Sequence, residues 1–183
     1  MNFIETQVMD LILVEPKIFE DQRGYFFEAF REDCFKEAGI PSHFIQDNQS
    51  KSSFGVLRGL HYQLAPFAQA KLVRVLQGQI FDVAVDLRKN SKTFGQWFGV
   101  DLSEDNKKQL FIPKGFAHGF SVLSKIAIVL YKCDNIYNQA SERGIFYADK
   151  FLNIDWKINP GEAVISAKDK ENPIFEQAEM NFL

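Results

Sequence analysis

The sequence predicts an all-β protein, a sandwich or barrel of short antiparallel strands with few short helices, and three observations carry that expectation. The apolar segments are short and rich in Val, Ile and Phe, and Gly, Asn, Asp or Pro punctuates the spaces between them. Nothing alternates strand with helix, which sets aside a doubly wound sheet and leaves sandwich, barrel or jelly-roll solutions. The length of 183 residues fits one domain, 1–183, that buries a core without disulfide or metal staples.

Taken in order, strands are expected over Val8 to Val14, Tyr25 to Phe30, His43 to Asn48, Gly55 to Gln63 and Lys71 to Leu76. Further strands follow over Gln79 to Leu87, Gln96 to Leu102, Gln109 to Ile112, Gly119 to Leu123 and Lys125 to Cys133. Only Glu32 to Ala38 reads as a helix, closed by Gly39 in the position that ends many helices. Beyond Trp156 the pattern loosens: Lys157 to Pro160 reads as loop and Ser166 to Asp169 as a turn. That tail either runs through solvent or lies against a site with Lys168 and Asp169, since loops on a rigid scaffold often bear function. No internal repeat or low-complexity run interrupts the chain.

Composition narrows the function classes. A net charge of -3 gives no basic surface for a phosphate backbone, so nucleic acid is not an expected partner, although a few placed Arg and Lys residues still suit a small anion. Phe occurs 19 times, enough to fill a wide β core or to furnish a subunit interface. Cys34 and Cys133 are far apart in sequence and form neither a disulfide nor a zinc pattern, so both are expected as reduced packing residues. The N-terminal stretch lacks a basic n-region, and the apolar run Leu11 to Val14 is too short to span a bilayer. The expectation is a cytoplasmic protein with no membrane partner.

Three histidines are the candidates for proton transfer near neutral pH. His43 has no suggestive neighbour, whereas His61 lies in Arg58-Gly-Leu-His-Tyr-Gln63 and His118 in Ile112-Pro-Lys-Gly-Phe-Ala-His-Gly-Phe120. Both are flanked by glycines, which let a backbone or a ligand approach closely. Alternation in Phe44-Ile-Gln-Asp-Asn48 puts Gln46 and Asn48 on one face, where either a ligand or solvent satisfies their amides. Tyr131 shares a strand face with Val129 and Ala127, and it is either a proton donor into a cavity or a buried structural tyrosine. No pair of histidines separated by one residue, no Cys pair and no glycine-rich phosphate loop occurs, so no metal and no dinucleotide or ATP cradle is expected. Chemistry is left to side chains alone.

Assembled, the motifs resemble the dTDP-4-dehydrorhamnose 3,5-epimerases. The likeness runs from Asp21-Gln-Arg-Gly-Tyr-Phe-Phe-Glu28 to Ser166-Ala-Lys-Asp169. It is strongest in Gln46-Asp-Asn48, Leu57-Arg-Gly-Leu-His-Tyr-Gln63, Lys71-Leu-Val-Arg-Val75, Phe81-Asp-Val-Ala-Val-Asp-Leu-Arg88 and Ile112 to Phe120. The resemblance implies a cupin-type jelly roll, a homodimer, no cofactor, and a dTDP-linked 4-keto-6-deoxy sugar held inside the barrel. It implies His61 as base, Asp169 as its orienting partner, Tyr131 as opposing acid and Lys71 as the cation beside the C4 oxygen. It assigns Arg23, Glu28, Gln46, Asp47, Asn48, Arg58, His118, Glu142 and Lys168 to binding the nucleotide sugar.

Strict alternation puts Arg58 and His61 on opposite faces of a strand. Both reach one ligand only if the chain leaves ideal pleating near Gly59. The sequence departs from the family's pattern at Ala65-Pro-Phe67, Tyr137-Asn-Gln139 and Ala148-Asp-Lys150, all outside the implied acid and base. Other readings share parts of the pattern. A relative inverting C3 or C5 only, or a ketoisomerase, would use the same base and fold. A non-enzymatic sugar-binding cupin would use the amides and arginines alone, and a metal-dependent oxygenase would need ligands that are not there.

Overall fold

The computed structural model describes residues 1–40 and 43–183. Its strands in chain order are β1 (Asn2–Glu5), β2 (Ile12–Glu15), β3 (Phe19–Asp21), β4 (Gly24–Phe26), β5 (Gln46–Ser53), β6 (Val56–Gln63) and β7 (Lys71–Gln77). They continue with β8 (Gln79–Asp86), β9 (Trp97–Ser103), β10 (Gln109–Ile112), β11 (Phe116–Val122), β12 (Ile126–Cys133), β13 (Glu142–Gly144) and β14 (Val164–Ile165). Two short helices, α1 (Glu32–Glu37) and α2 (Ala167–Lys170), complete the regular structure with three single turns of 3-10 helix.

One sheet has the order β1-β2-β10-β7-β12-β5 and the other β13-β6-β11-β8-β9, with β14 alongside β6, while β3 and β4 form a separate hairpin. Pairings are antiparallel apart from β14 with β6. The expected all-β architecture is therefore present, as a jelly-roll sandwich.

Three apolar layers hold it together, each explained by strand alternation. Between the sheets, Val73, Val75, Leu110, Ala127 and Val129 meet Ile80, Ala84, Leu102, Phe120 and Val122. On the outer face of the second sheet, Leu57, Leu60, Val83 and Val85 are roofed by the C-terminal segment through Ile145, Leu152, Trp156, Phe175 and Phe182. The outer face of the first sheet is covered by α1, whose Phe35 is fully buried against the rings of Phe3 and Phe30. Much of the unusual Phe content is thus core. The irregular tail is not a solvated appendage but the cover of a sheet.

Several boundaries differ from the sequence reading for definable reasons. Val8 to Leu11 is a turn closed by the Leu11 N–H on the Val8 carbonyl, with Asp10 at φ 67°, so the strand begins only at Ile12. β5 starts later than expected and extends to Ser53, through Gln-Asp-Asn-Gln-Ser-Lys-Ser-Ser, a string with no apolar alternation to mark it. Both of its faces are polar because one looks into a hydrophilic cavity and the other into water. β1, β3, β13 and β14, at four residues or fewer, carried no readable period. Ser166 to Asp169 becomes a one-turn helix because the Ser166 hydroxyl caps it, accepting the Asp169 N–H at 3.0 Å. Cys34 and Cys133 are both free thiols.

Candidate active site

One end of the space between the sheets is filled by apolar side chains and the other is open and polar. There a cavity of about 290 Å³ is lined by Gln46, Asn48, His61, Tyr62, Gln63, Gln69, Lys71, Tyr131, Tyr137 and Glu142. The first sheet contributes Gln46 and Asn48 from β5, Tyr131 from β12 and Lys71 from β7; the second contributes His61 from β6 and Glu142 from β13. His61 and Tyr131 therefore enter one cavity from opposite walls.

The placement of His61 depends on a bulge. Across the β6–β11 pairing, His61 opposes His118 and Arg58 opposes Phe120, so three steps on β6 face two on β11. The extra residue puts Arg58 and His61 on the same face, which resolves the conflict that alternation posed. Gly59 makes room for it: at φ 117° its α-carbon lies where a Cβ would come within 2.5 Å of the Gly119 α-carbon. Arg58 then directs its Nε to the Ser52 hydroxyl at 3.0 Å, on the inner face of β5.

His61 Nε2 lies 2.6 Å from Asp169 Oδ1; the histidine side chain is 33% exposed and the aspartate only 4%. Burial works to raise the Asp169 carboxyl, but the His61 contact, the Gly59 N–H and Ser166 outweigh it and leave the group below its ordinary value. A carboxylate held ionised can only accept, so Nε2 carries the shared hydrogen, and in the neutral imidazole the lone pair is then on Nδ1. That is the tautomer a base requires.

Opposite, burial raises the Tyr131 hydroxyl, so that it keeps its proton as an acid must. The Lys71 ammonium sits 5.9 Å from the Tyr131 ring centroid. Its own pKa is lowered, chiefly by burial, with the carboxylates of Asp82 and Glu142 working the other way. At the rim, Glu142 Oε2 accepts Lys168 Nζ at 2.6 Å and the Tyr137 hydroxyl at 2.9 Å. Burial would raise Glu142, but those two hydrogen bonds prevail and lower it. Lys168 stays 64% exposed, free to turn toward a bound anion.

Of the residues implied by resemblance, the structure brings Gln46, Asn48, Arg58, His61, Lys71, Tyr131, Glu142, Lys168 and Asp169 to this end of the sandwich. It does not bring the rest. Asp47 points to the outer face of β5, where Lys132 Nζ bonds both its oxygens at 3.1 Å, because alternation separates it from Gln46 and Asn48. Arg23 and Glu28 belong to the β3–β4 hairpin and the segment after it, and neither lines the cavity. Arg23 is 85% exposed and bonded to Asp21, while Glu28 pairs with Arg31. His118 is near the cavity but sealed from it: its ring, 7% exposed, meets Asp82 Oδ1 at 2.8 Å.

Sequence reasoning missed four residues. Asp82 is fully buried; its Oδ1 meets His118, and its Oδ2 has no hydrogen-bond partner among the described residues. Its signal was a carboxylate in the middle of the apolar strand Ile80-Phe-Asp-Val-Ala-Val85. Gln63, Gln69 and Tyr137 also line the cavity, and only Gln63 stood inside a motif. Among the described residues no cluster of metal-ligating side chains occurs.

The sequence model of the dTDP-4-dehydrorhamnose 3,5-epimerase family matches residues 5–177. A dTDP-4-dehydrorhamnose 3,5-epimerase of Shigella flexneri is 54% identical over 98% of both chains. The crystal structure of one from Elizabethkingia anophelis superposes with a TM-score of 0.94 at 52% identity, covering 96% of this chain and 97% of that one. A Legionella pneumophila dTDP-6-deoxy-D-glucose-3,5-epimerase, solved in complex with dTDP-4-keto-L-rhamnose, gives a TM-score of 0.92 at 50% identity over 96% and 93% of the two chains. With that likeness running nearly end to end, this chain belongs to the dTDP-4-dehydrorhamnose 3,5-epimerase family.

Proposed function

We propose that this protein converts dTDP-4-dehydro-6-deoxy-D-glucose into dTDP-4-dehydro-L-rhamnose by inverting C3 and C5 through enolate intermediates, without a cofactor. The observation that carries the reading is the entry of His61 and Tyr131 into one cavity from opposite sheets. The C4 ketone acidifies the hydrogens on both neighbouring carbons. Inversion requires that a proton leave one face of each carbon and another arrive on the opposite face. His61, with Nδ1 free and Nε2 anchored on Asp169, takes the proton; Tyr131 delivers one from the other wall. Lys71, which lines the same cavity beside Tyr131, would stabilise the negative charge that collects on the C4 oxygen as the enolate forms. Gln46, Asn48 and Glu142 line the cavity with Lys168 on Glu142 and Arg58 on Ser52 beside it, and the two cations suit a diphosphate through charge-assisted hydrogen bonds.

The positions of Arg23 and Glu28 favour a homodimer. They lie outside their own cavity, on a segment whose Phe19, Tyr25 and Phe26 are 52%, 57% and 66% exposed. Aromatic side chains standing out in this way suit an interface, and a second copy would place the Arg23 guanidinium against its neighbour's ligand. A monomeric mass in light scattering at micromolar concentration would count against this.

Product NMR in deuterium oxide tests the function directly. The expected product carries solvent deuterium at C3 and C5 with both centres inverted. Inversion at one carbon would make the protein a mono-epimerase, and absence of exchange at both would leave only sugar binding.

A further inference from the structure

Gln63 ends β6 two residues beyond His61, on the same face, and is 6% exposed. Its amide is almost fully used. Nε2 donates to the Phe67 carbonyl at 2.7 Å and to the Ile136 carbonyl at 3.2 Å, and Oε1 accepts the Asn138 N–H at 2.6 Å. One side chain thus ties the end of a strand to the turn that follows it and to the segment 136–138, which connects β12 to the 3-10 turn Gln139–Ser141.

That segment has no strand or helix of its own, and Tyr137 within it is 55% exposed. Its geometry is nevertheless set at several points. The Tyr137 N–H donates to Gln46 Oε1 at 3.0 Å, and its hydroxyl donates to Glu142 Oε2 at 2.9 Å, the oxygen that also accepts Lys168. Glu142 is in turn the backbone partner of Gln63 across β6 and β13. The Gln63 amide is thus the buried tie of this rim, holding the backbone on both sides of Tyr137 while Gln46 and Glu142 hold Tyr137 itself. Only an amide meets the need, since the surroundings offer two carbonyls and one N–H.

We propose that Gln63 is a positioning residue: by pinning segment 136–138 it holds Tyr137 and Glu142 in the arrangement that receives the sugar nucleotide, and so sets substrate affinity without taking part in proton transfer. The inference rests on the epimerase reading of the cavity. Gln63→Met supplies none of the three hydrogen bonds, and Gln63→Glu turns an oxygen toward two carbonyls.

The test compares the full-length parent with Gln63→Met, Gln63→Glu, Tyr137→Ala and the double variant Gln63→Met/Tyr137→Ala. It reads initial rates of epimerisation of dTDP-4-dehydro-6-deoxy-D-glucose and deuterium incorporation at saturating substrate. Both Gln63 variants should raise KM roughly tenfold with kcat within about twofold of the parent, the pattern of lost binding and not of lost chemistry. Tyr137→Ala should give the same KM defect, and the double variant should be no worse than the single ones, as expected of residues acting through one contact chain. An unchanged KM, a fall in kcat at constant KM, or additive losses would each overturn the proposal. So would failure of both Gln63 variants to fold beside an intact Tyr137→Ala, because the amide would then serve the whole fold. An inactive parent sinks the epimerase reading and this inference with it, whereas an active parent with unaltered Gln63 variants sinks the inference alone.

Discussion

Two histidine–aspartate pairs stand side by side in the second sheet, and they differ in almost nothing but access. His61 and His118 are cross-strand partners on β6 and β11. Each offers Nε2 to a carboxylate, at 2.6 Å to Asp169 and 2.8 Å to Asp82. Yet the His61 side chain is 33% exposed and the His118 side chain 7%. Asp82 comes from the adjacent strand, whereas Asp169 arrives from the far end of the chain on a capped helical turn. The same contact therefore supports different work: the open pair can meet a substrate carbon, and the closed pair braces the wall beside it. An imidazole–carboxylate contact alone is no evidence of catalysis; the second nitrogen must have somewhere to go.

The largest expected effect separates the two pairs outright. His61→Ala should abolish solvent-deuterium exchange at both C3 and C5, a loss of at least about 100 to 10,000-fold, the scale of a general base. If exchange survives and His118→Asn removes it instead, the assignment of the open pair is wrong. The next variant isolates what the open pair needs from across the cavity. Tyr131→Phe should leave exchange at one or both carbons while inversion falls most clearly at C5, and full inversion at the parent rate would make Tyr131 a structural residue.

Asp169→Asn should slow epimerisation on the order of a hundredfold, the lower end of a general-base contribution, because the amide no longer selects the useful tautomer. Asp82→Asn probes the closed pair and should be felt in stability first. Losing a buried charged hydrogen bond costs about 1–3 kcal/mol, or roughly 2–10 °C in melting temperature for a chain of this size, with kcat changed far less than in Asp169→Asn. Equal kcat losses in the two variants would erase the distinction.

The smallest effect concerns pH. Asp169 is lowered in the folded state, so its contribution to stability is present above the ordinary aspartate value of about 3.9 and is lost as pH falls through the lower folded value. Urea midpoints measured between about pH 5 and pH 3 should therefore fall more steeply for the parent than for Asp169→Asn. Parallel curves would show that the carboxylate gains nothing from its partner.

What the sequence made legible follows the same division between open and closed. β7 and β12 were readable because one-sided burial writes a period near two into the residues, and β8 and β10, buried on both faces, because they read as short apolar runs between turn signals. β5 was displaced because neither of its faces is apolar. His61, Tyr131 and Lys71, grouped through motif resemblance, line one cavity, whereas Asp47, grouped with its neighbours, is sent by alternation to Lys132. Gln69 and Tyr137 were unreadable for a different reason. They reach the cavity from irregular segments, whose direction is fixed by long-range hydrogen bonds such as those of Gln69 to Asn135 and Tyr137 to Gln46. Arg23 marks a further limit: its own chain leaves it in water, paired with Asp21, and outside the cavity.

The bulge in β6 has a consequence for how this site tolerates change. Because three residues of one strand answer two of the other, the shared orientation of Arg58 and His61 is a matter of parity. Point substitutions at Leu60 would alter packing yet conserve that parity. Straightening the bulge with all three steps kept would place the Arg58 guanidinium and the His61 imidazole on opposite sides of the wall, with every side chain still present in the chain, whereas deleting Leu60 leaves two steps, which ordinary alternation keeps on one face. The site is thus encoded in part by the register of this strand against its neighbour, and not by its letters alone.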